Sequence, residues 1–505
     1  MKRFRKEAIY FFTGITLLSM VNCGSKITKP NNNNNNNILF QESVDLIDIT
    51  NPVNGYYKMP NSLALPNVTK IPDYKNNDSL KTFLQNFADT FSWRSFIALN
   101  WPANEDGTPD SIITLGSESD FTVLEHWMPG TNLFVDSNQV PQDWNYGISE
   151  NQHPLNSNKT TDFRIIPKFD SLDKSDAENL PLVDQNRKYT LFQIFYNRQA
   201  YDYVVKGKLY SKKGQQEFVK NWPSLTEGLK VTKDGKPLGI EETFKRAYFT
   251  VGTTKDSTIT KTGIEILPDA KDANAVVAFK FVSNPGSVIL KTAWRIMSPK
   301  DDKKRYYTRK VIIKSGEKIE IGLVAMHITH KASEATQWVW STFEHIDNAP
   351  EMADDGSAII DAQKNYSYFN KANNNPATFN LPTDTSLFFD GTPRKPAQVV
   401  RANKIEESTE KINDYFLGLI KKYEPESVWQ YYKLIGTQWP FDPDLLTPGR
   451  NYTPEILANT ALETFSQSTS SCMECHSQAK FLYDDPATRG MGYNADFIWG
   501  LANVK

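Results

Sequence analysis

The segment Cys472-Met473-Glu474-Cys475-His476 carries residues whose types and spacing fit covalent attachment of haem. Two thiols three positions apart can bond to the two vinyl groups of one porphyrin, and the adjacent imidazole can then ligate its iron. The sequence therefore predicts one covalent haem c, attached through Cys472 and Cys475, with His476 as the proximal ligand of the iron.

Two other chemistries use a Cys-x-x-Cys pair. A structural zinc site needs four ligands, and the chain contains three cysteines in all, so histidines would have to complete it. A thioredoxin-like redox pair is typical of a βαβ setting, whereas the residues before Cys472 show a helical pattern. Covalent haem is the interpretation that these residues favour.

The sequence leaves the sixth ligand of the iron open. Met491, within Arg489-Gly490-Met491-Gly492-Tyr493, is the nearest donor, and its flanking glycines let the chain turn towards a planar ring. Methionine ligates haem iron in some proteins and fills apolar gaps in many others. We therefore expect Met491 either to ligate the iron or to pack against the porphyrin edge.

Candidates for a catalytic role at an open distal position are His345, His327 and Arg489, beside Glu344. A histidine followed by a carboxylate, as His345 is by Asp347, is often oriented for ligation or proton transfer. The alternative for each histidine is a structural side chain whose ring nitrogens are hydrogen-bonded in the interior. The sequence leaves the catalytic residues unassigned.

The first 22 residues resemble a bacterial secretory signal. Four basic residues precede the apolar run Ile9 to Val21, which is too short to span a bilayer comfortably. We expect residues 1–22 to be a lipoprotein-type signal peptide and Cys23 to be lipidated, although Asn22 replaces the small residue usual before such a cysteine. The alternative is an ordinary signal with an incidental cysteine. Residues 23–45, with seven consecutive asparagines, are expected to be an Asn-rich linker.

These features predict a protein of the cell envelope of a Gram-negative bacterium, anchored to the membrane by lipid and facing the periplasm. Removing residues 1–22 takes away four positive charges and one negative charge, which moves the formal net charge from −2 to −5. Because no basic stripe is present, we expect no nucleic-acid partner. The expected partner is a redox protein or a small-molecule substrate.

Hydrophobicity patterns predict an α+β fold, with a mixed α/β body over residues 46–395, β-rich in its second half, and a mainly α-helical haem region over residues 396–505. The expected strands are Ala275 to Val282, Trp338 to Phe343, and a hairpin of Tyr306 to Ile313 with Ile319 to Thr329. The expected helices are Leu80 to Leu99, Gly214 to Asn221, Ile405 to Tyr423, and one running from the capping residue Thr453 to Ser466.

Several stretches carry a resemblance to known sequences: LVDQN at 182–186, KTAWR at 291–295, HITHK at 327–331, QWVWSTFEH at 337–345, NT at 459–460 with ET at 463–464, and SCMECH at 471–476. They resemble an uncharacterised family of bacterial cytochrome c-type proteins that have a large body and a single C-terminal haem site. The similarity covers most of the mature chain. It implies a haem protein of the cell envelope and no particular reaction.

Two classes of function follow. In the first, a haem-binding protein transfers electrons through iron ligated by His476, with Met491 or a histidine in the sixth position. In the second, the protein is a haem enzyme, such as a peroxidase or an oxygenase-like oxidoreductase, whose distal position is open or displaceable. The long body favours an enzyme or specific partner binding. The lack of a clear distal His/Arg signature favours electron transfer, which is the function we predict.

Overall fold

Helices and strands are mixed along the chain, as the hydrophobicity pattern predicts. The computed structural model describes residues 48–60, 78–116, 121–135, 139–144, 168–169, 179–220, 247, 249–251, 285–312, 318–332, 335, 337–382, 395–440, 452–488, 490–502 and 504. They belong to one compact unit, Ile47–Lys505. The predicted signal peptide, Cys23, the linker, the strand Ala275 to Val282 and Arg489 lie outside the described residues.

The described helices, in chain order, are α1 Asp78–Leu99, α2 Gly130–Leu133, α3 Arg198–Lys206, α4 Lys212–Lys220, α5 Glu407–Tyr423 and α6 Cys472–Ser477. The described strands are β1 Met128–Pro129, β2 Lys168–Phe169, β3 Asn179–Leu180, β4 Leu191–Tyr196, β5 Val288–Ile296, β6 Thr308–Ile312, β7 Lys318–His330, β8 Val339–His345, β9 Glu351–Met352, β10 Ala358–Ile359, β11 Tyr432–Pro440, β12 Tyr452–Thr453, β13 Lys480–Phe481 and β14 Tyr493–Asn494.

An antiparallel sheet of eight strands lies at the centre of the part that the structure describes. Its spatial order is β1, β4, β5, β7, β8, β11 and β12. The long strand β7 pairs along one edge with β5 and along the other with two strands in succession, β6 at residues 318–322 and β8 at residues 325–330. The fold is therefore a mixed α+β structure built on a large antiparallel sheet.

The two faces of this sheet are covered by different parts of the chain. Side chains alternate along a strand, and on β8 Ser341 and Phe343 contact α1. Trp340 and Thr342 point the other way and contact the C-terminal segment, residues 455–504. Because both faces are covered, every residue of β8 is buried, and the strand is rich in large apolar side chains.

Helices α1 and α5 pack together on the first face, and both were predicted from their apolar spacing. Trp93 of α1 and Phe416 of α5 stack with ring centroids 5.3 Å apart. The indole Nε1 of Trp93 donates a hydrogen bond of 3.0 Å to Oδ1 of Asn413. Buried aromatic pairs of this kind stabilise a helix pair beyond the area that they bury. The predictions of α4, the hairpin β6–β7 and β8 are also confirmed.

The prediction of a mainly α-helical C-terminal region is wrong for the residues that the structure describes there. Besides α5, this region contains only the short helix α6 among its α-helices. Its strand β11 pairs with β8 and thereby extends the main sheet. β11 is held by hydrogen bonds to a strand that is far away in the sequence. Such pairing leaves no local periodicity from which the strand β11 could be predicted.

The predicted helix from Thr453 to Ser466 does not form. Thr453 instead pairs with Trp439 between β12 and β11. Further on, the side-chain amide of Asn459 donates to Oγ1 of Thr342 at 2.8 Å and to the carbonyl oxygen of Phe343 at 2.9 Å. Short polar side chains of this type compete with helical hydrogen bonds, and here the sheet offers them buried partners.

Candidate haem-attachment site

The Cys-x-x-Cys-His motif forms the short helix α6. Ser471 precedes it as the N-cap, and its hydroxyl oxygen accepts a hydrogen bond of 3.3 Å from the backbone N–H of Glu474. Serine at this position satisfies a backbone donor that the first turn leaves free. The local sequence therefore accounts for the helical start of the motif.

The side chain of Gln438 on β11 holds the first turn of this helix against the sheet. Its Oε1 accepts a hydrogen bond of 2.7 Å from the backbone N–H of Met473. Its Nε2 donates to the carbonyl oxygen of Pro454 at 2.7 Å and to Oγ of Ser471 at 3.1 Å. Both Gln438 and Met473 are buried, so the motif is fixed to the main sheet and not to a separate domain core.

Neither cysteine of the motif forms a disulfide bond. They lie three positions apart, which places them on one side of a helix. Cys475 is exposed and Cys472 is half-buried. Burial, reinforced by the negative charge of Glu463, raises the pKa of the Cys472 thiol well above its usual value. Two reduced thiols on one side of a helix are the arrangement that thioether formation requires.

The imidazole of His476 is oriented by a backbone carbonyl. Its Nδ1 lies 2.7 Å from the carbonyl oxygen of Phe497, and since a carbonyl can only accept, Nδ1 carries the proton. The lone pair of Nε2 is then available to a metal. Burial lowers the pKa of His476 to about 4, although the hydrogen bond to Phe497 opposes this shift. The ring is therefore neutral at pH 7, as a ligand must be.

Trp340 lies against the motif histidine on the second face of the sheet. The ring centroids of Trp340 and His476 are 4.3 Å apart. The indole Nε1 of Trp340 is buried and has no hydrogen-bond partner among the described residues. A buried donor without an acceptor lowers the free energy of unfolding. A bound group that brings a hydrogen-bond acceptor to this face of the sheet would remove that cost.

Three charged or ionisable side chains surround the same region. Lys291 on β5 is the direct cross-strand partner of His327 on β7. Nε2 of His327 lies 3.2 Å from Oε2 of Glu463. After burial and the Phe497 hydrogen bond, Lys291 and His327 lower the pKa of His476 and Glu463 raises it. The structure thus brings His327, one of the predicted catalytic candidates, into the electrostatic environment of His476.

The structure separates His345 from the motif. Trp340 and His345 are five positions apart on β8, so their side chains point to opposite faces. Nε2 of His345 lies 2.8 Å from the carbonyl oxygen of Arg305, and Nδ1 accepts a 3.1 Å hydrogen bond from the backbone N–H of Asp347. Burial lowers the pKa of His345 to about 4. Both ring nitrogens therefore have hydrogen-bond partners in the backbone. This is the arrangement expected of His345 as a structural side chain.

Met491 lies in the loop that joins β13 to β14, between two glycines with positive φ angles. Its side chain is 68% exposed, so it does not fill a closed pocket in this conformation. Ligation of the iron by Met491 stays a prediction, and it requires this loop to cover the porphyrin.

The described residues fit a covalently attached haem on four points: two thiols outside any disulfide at the required spacing, a neutral imidazole that can offer Nε2, an unsatisfied indole donor beside it, and a polar group of side chains nearby. When bound, haem supplies an iron that changes oxidation state. Within the described ranges, no group of three or more His, Cys, Asp or Glu side chains could hold a metal ion.

Sequence reasoning missed Gln438 and the carbonyl of Phe497, and it did not link Trp340 to the motif. A backbone carbonyl carries no signal of residue type, and Gln438 precedes the motif by more than thirty positions. The one usable signal was the alternation on β8, which places Trp340 and Thr342 on one face.

None of the described helices is long and apolar enough to cross a membrane. Comparison with protein-family models, with curated proteins and with solved structures found no match to this chain.

Proposed function

We propose that this chain is a c-type monohaem protein of the cell envelope that transfers electrons through iron ligated by His476. The observation that carries the proposal is the hydrogen bond between Nδ1 of His476 and the carbonyl oxygen of Phe497. It fixes the tautomer that presents Nε2 to a metal, next to two thiols that are outside any disulfide bond. A histidine placed only for packing would not need this combination.

The surroundings of His476 suit electron transfer. The ring is half-buried and neutral, and it packs against Trp340, so it is held in one orientation. A fixed ligand geometry keeps rearrangement small when the charge on the iron changes. Cys475, on the exposed side of the helix, would leave one edge of the porphyrin near the surface, where a redox partner protein can approach.

Location and partners belong to the same proposal. Lipidation of Cys23 would tether the protein to the envelope of a Gram-negative bacterium, with the folded part facing the periplasm. The support is the basic and apolar pattern of residues 1–22 directly before Cys23. We propose a redox protein or a small molecule as partner, and no nucleic acid, because the chain has no basic stripe.

A second candidate function, a haem enzyme of the peroxidase or oxygenase-like type, is favoured by one observation. His327 and Glu463 form a close polar pair near His476, while Met491 is exposed. If Met491 does not ligate the iron, the sixth position is open to a small oxidant, and an imidazole paired with a carboxylate can accept and return a proton.

Absorption spectra of the purified ferric and ferrous protein, produced in a host that matures c-type cytochromes, decide between these functions. Electron transfer predicts six-coordinate, low-spin iron that does not react with carbon monoxide. High-spin iron that takes up cyanide or carbon monoxide readily would support the enzyme and contradict the carrier. Colourless protein with both motif thiols free would contradict both.

Attachment itself is tested by Cys475→Ala. This variant should lose about half or more of the haem that stays with the polypeptide after denaturing electrophoresis, because one of two thioether bonds is gone. Cys23→Ser is the matched control, since it removes the remaining cysteine of the chain. It should keep the haem stain and release the protein from the membrane fraction. Equal haem stain in Cys475→Ala and the parent protein would contradict the attachment site.

A further inference from the structure

The carbonyl that orients His476 lies in a turn of unusual conformation. The backbone N–H of Ile498 donates to the carbonyl oxygen of Ala495 at 3.0 Å, which closes the turn. Its two central residues, Asp496 and Phe497, have φ angles of 51° and 69°. Two consecutive positive φ angles are typical of type I′ turns, in which glycine and asparagine are favoured. Phenylalanine at the second position is therefore strained.

A buried ion pair holds this turn in place. The ammonium group of Lys331, which is 0% exposed, contacts the carboxylate of Asp496. The same carboxylate accepts a hydrogen bond of 2.7 Å from the backbone N–H of Phe249. The carbonyl oxygen of Asp496 accepts one of 3.0 Å from Nε1 of Trp338. Three partners, from two distant parts of the chain, thus fix the residue immediately before Phe497.

We propose that Lys331 and Asp496 are positioning residues that set the strength of the hydrogen bond between Phe497 and His476, and through it the reduction potential of the haem. This inference rests on the proposed function. A carbonyl held firmly against the Nδ1 proton raises the basicity of the imidazole. A more basic ligand stabilises ferric iron relative to ferrous iron, so the ion pair keeps the reduction potential low.

Lys331→Met and Asp496→Asn test the proposal. Asparagine tolerates positive φ as well as aspartate does, so Asp496→Asn removes the charge without changing the preference for the turn. Both variants should keep covalent haem at the parent stoichiometry while their midpoint potentials rise and their ferrous absorption bands shift. We also expect the affinity between His476 and the iron to fall by about 10- to 100-fold, which is the usual effect of losing an outer-shell partner.

The chain offers matched controls. Lys212 and Asp484 form the same type of pair in an exposed setting, with side chains 48% and 66% exposed. Lys212→Met and Asp484→Asn should leave the midpoint potential unchanged. Since a single buried charge without its partner can prevent folding, the double variant Lys331→Met/Asp496→Asn, which removes both charges together, is measured beside the single ones.

The outcomes separate the two levels of the proposal. A parent protein without haem contradicts the proposed function itself. Haem in the parent protein and in the variants, with midpoint potentials equal to those of the controls, overturns only the positioning role. Failure of all three Lys331 and Asp496 variants to fold would also overturn it, because the pair would then serve the fold as a whole and not the ligand.

Discussion

At the scale of single residues, the candidate site depends on hydrogen bonds whose donors and acceptors lie far apart in the sequence. Gln438 binds the backbone of Met473 and Pro454 and the hydroxyl of Ser471. Each of these groups is buried or partly buried, so loss of its partner costs more than the bond itself contributes. The motif is thus positioned by side chains that take no part in haem chemistry.

Gln438→Leu should reduce the free energy of unfolding by about 2–6 kcal/mol, because it leaves the Met473 N–H and the Pro454 carbonyl without partners at about 1–3 kcal/mol each. Urea unfolding followed by circular dichroism measures the change. Gln478→Leu is the control, since Gln478 directly follows α6, is exposed, and its side-chain amide donates to Ser477 Oγ at 3.2 Å. Equal stability of the two variants would show that Gln438 does not hold the motif.

The two histidine candidates should respond differently to the same substitution. His327→Leu removes the imidazole that contacts Glu463 in the surroundings of His476, so the haem spectrum should shift. His345→Leu should leave the spectrum unchanged and lower the free energy of unfolding by about 1–3 kcal/mol, because the Arg305 carbonyl and the Asp347 N–H lose their partner. A spectral shift in His345→Leu alone would reverse the assignment.

At the scale of elements, α1 and α5 are joined by a buried carboxyl group as well as by aromatic packing. Asp89 of α1 accepts a 2.7 Å hydrogen bond from Oγ1 of Thr409 on α5 and one of 2.9 Å from Nε2 of Gln85. Burial raises the pKa of Asp89 to about 6. A carboxyl group whose pKa is raised by folding stabilises the protein only while it is protonated.

The stability of the helix pair should therefore depend on pH in a known direction. The contribution of Asp89 is fully present below its unfolded pKa of about 4 and is lost as the pH rises through about 6. Asp89→Asn keeps the hydrogen-bonding shape without the charge. It should match the parent protein near pH 4 and exceed its free energy of unfolding by up to about 3 kcal/mol at pH 7.

Urea titrations at several pH values measure this difference, and it should grow between pH 4 and 6 and then level off. Asp414→Asn, at an exposed position of α5, is the matched control and should show no such trend. A constant difference between Asp89→Asn and the parent protein over this range would mean that Asp89 does not carry the pH dependence.

At the scale of the whole molecule, the main sheet joins the predicted body and the predicted haem region. β11 from the predicted haem region pairs with β8 from the predicted body over residues 340–345. The C-terminal segment covers the second face of the same sheet through Trp340, Thr342 and Glu344. The division near residue 395 stays a prediction, and β8 of the predicted body takes its β11 partner from the predicted haem region.

A fragment of residues 46–395 tests the division. It should not fold, because β8, buried along its whole length, would lose its β11 partner and expose an apolar edge and face. Thermal unfolding monitored by circular dichroism should show a cooperative transition for residues 46–505 and none for the fragment. A cooperative transition in the fragment would establish the body as a domain of its own.

The elements with strong periodicity could be predicted from the sequence. The spacing of Ile412, Phe416 and Leu419 predicted α5, and β-branched residues on both sides of Ser315-Gly316 predicted the hairpin of β6 and β7. The helix expected after Thr453 was wrong because Asn459 and Thr460 bond to buried groups of β8. Those partners lie more than one hundred positions away, and local propensity contains no trace of them.

The sequence by itself determined the chemistry expected of the motif, because thioether formation and iron ligation depend on residues that are neighbours in the chain. Only the tertiary structure decided how Cys472, Cys475 and His476 are held. The carbonyl of Phe497, the amide of Gln438 and the pair of Lys331 with Asp496 come together through folding. Hydrogen bonds and ion pairs act over a few ångströms in space, whatever the distance along the chain, so no reading of local spacing could have found them.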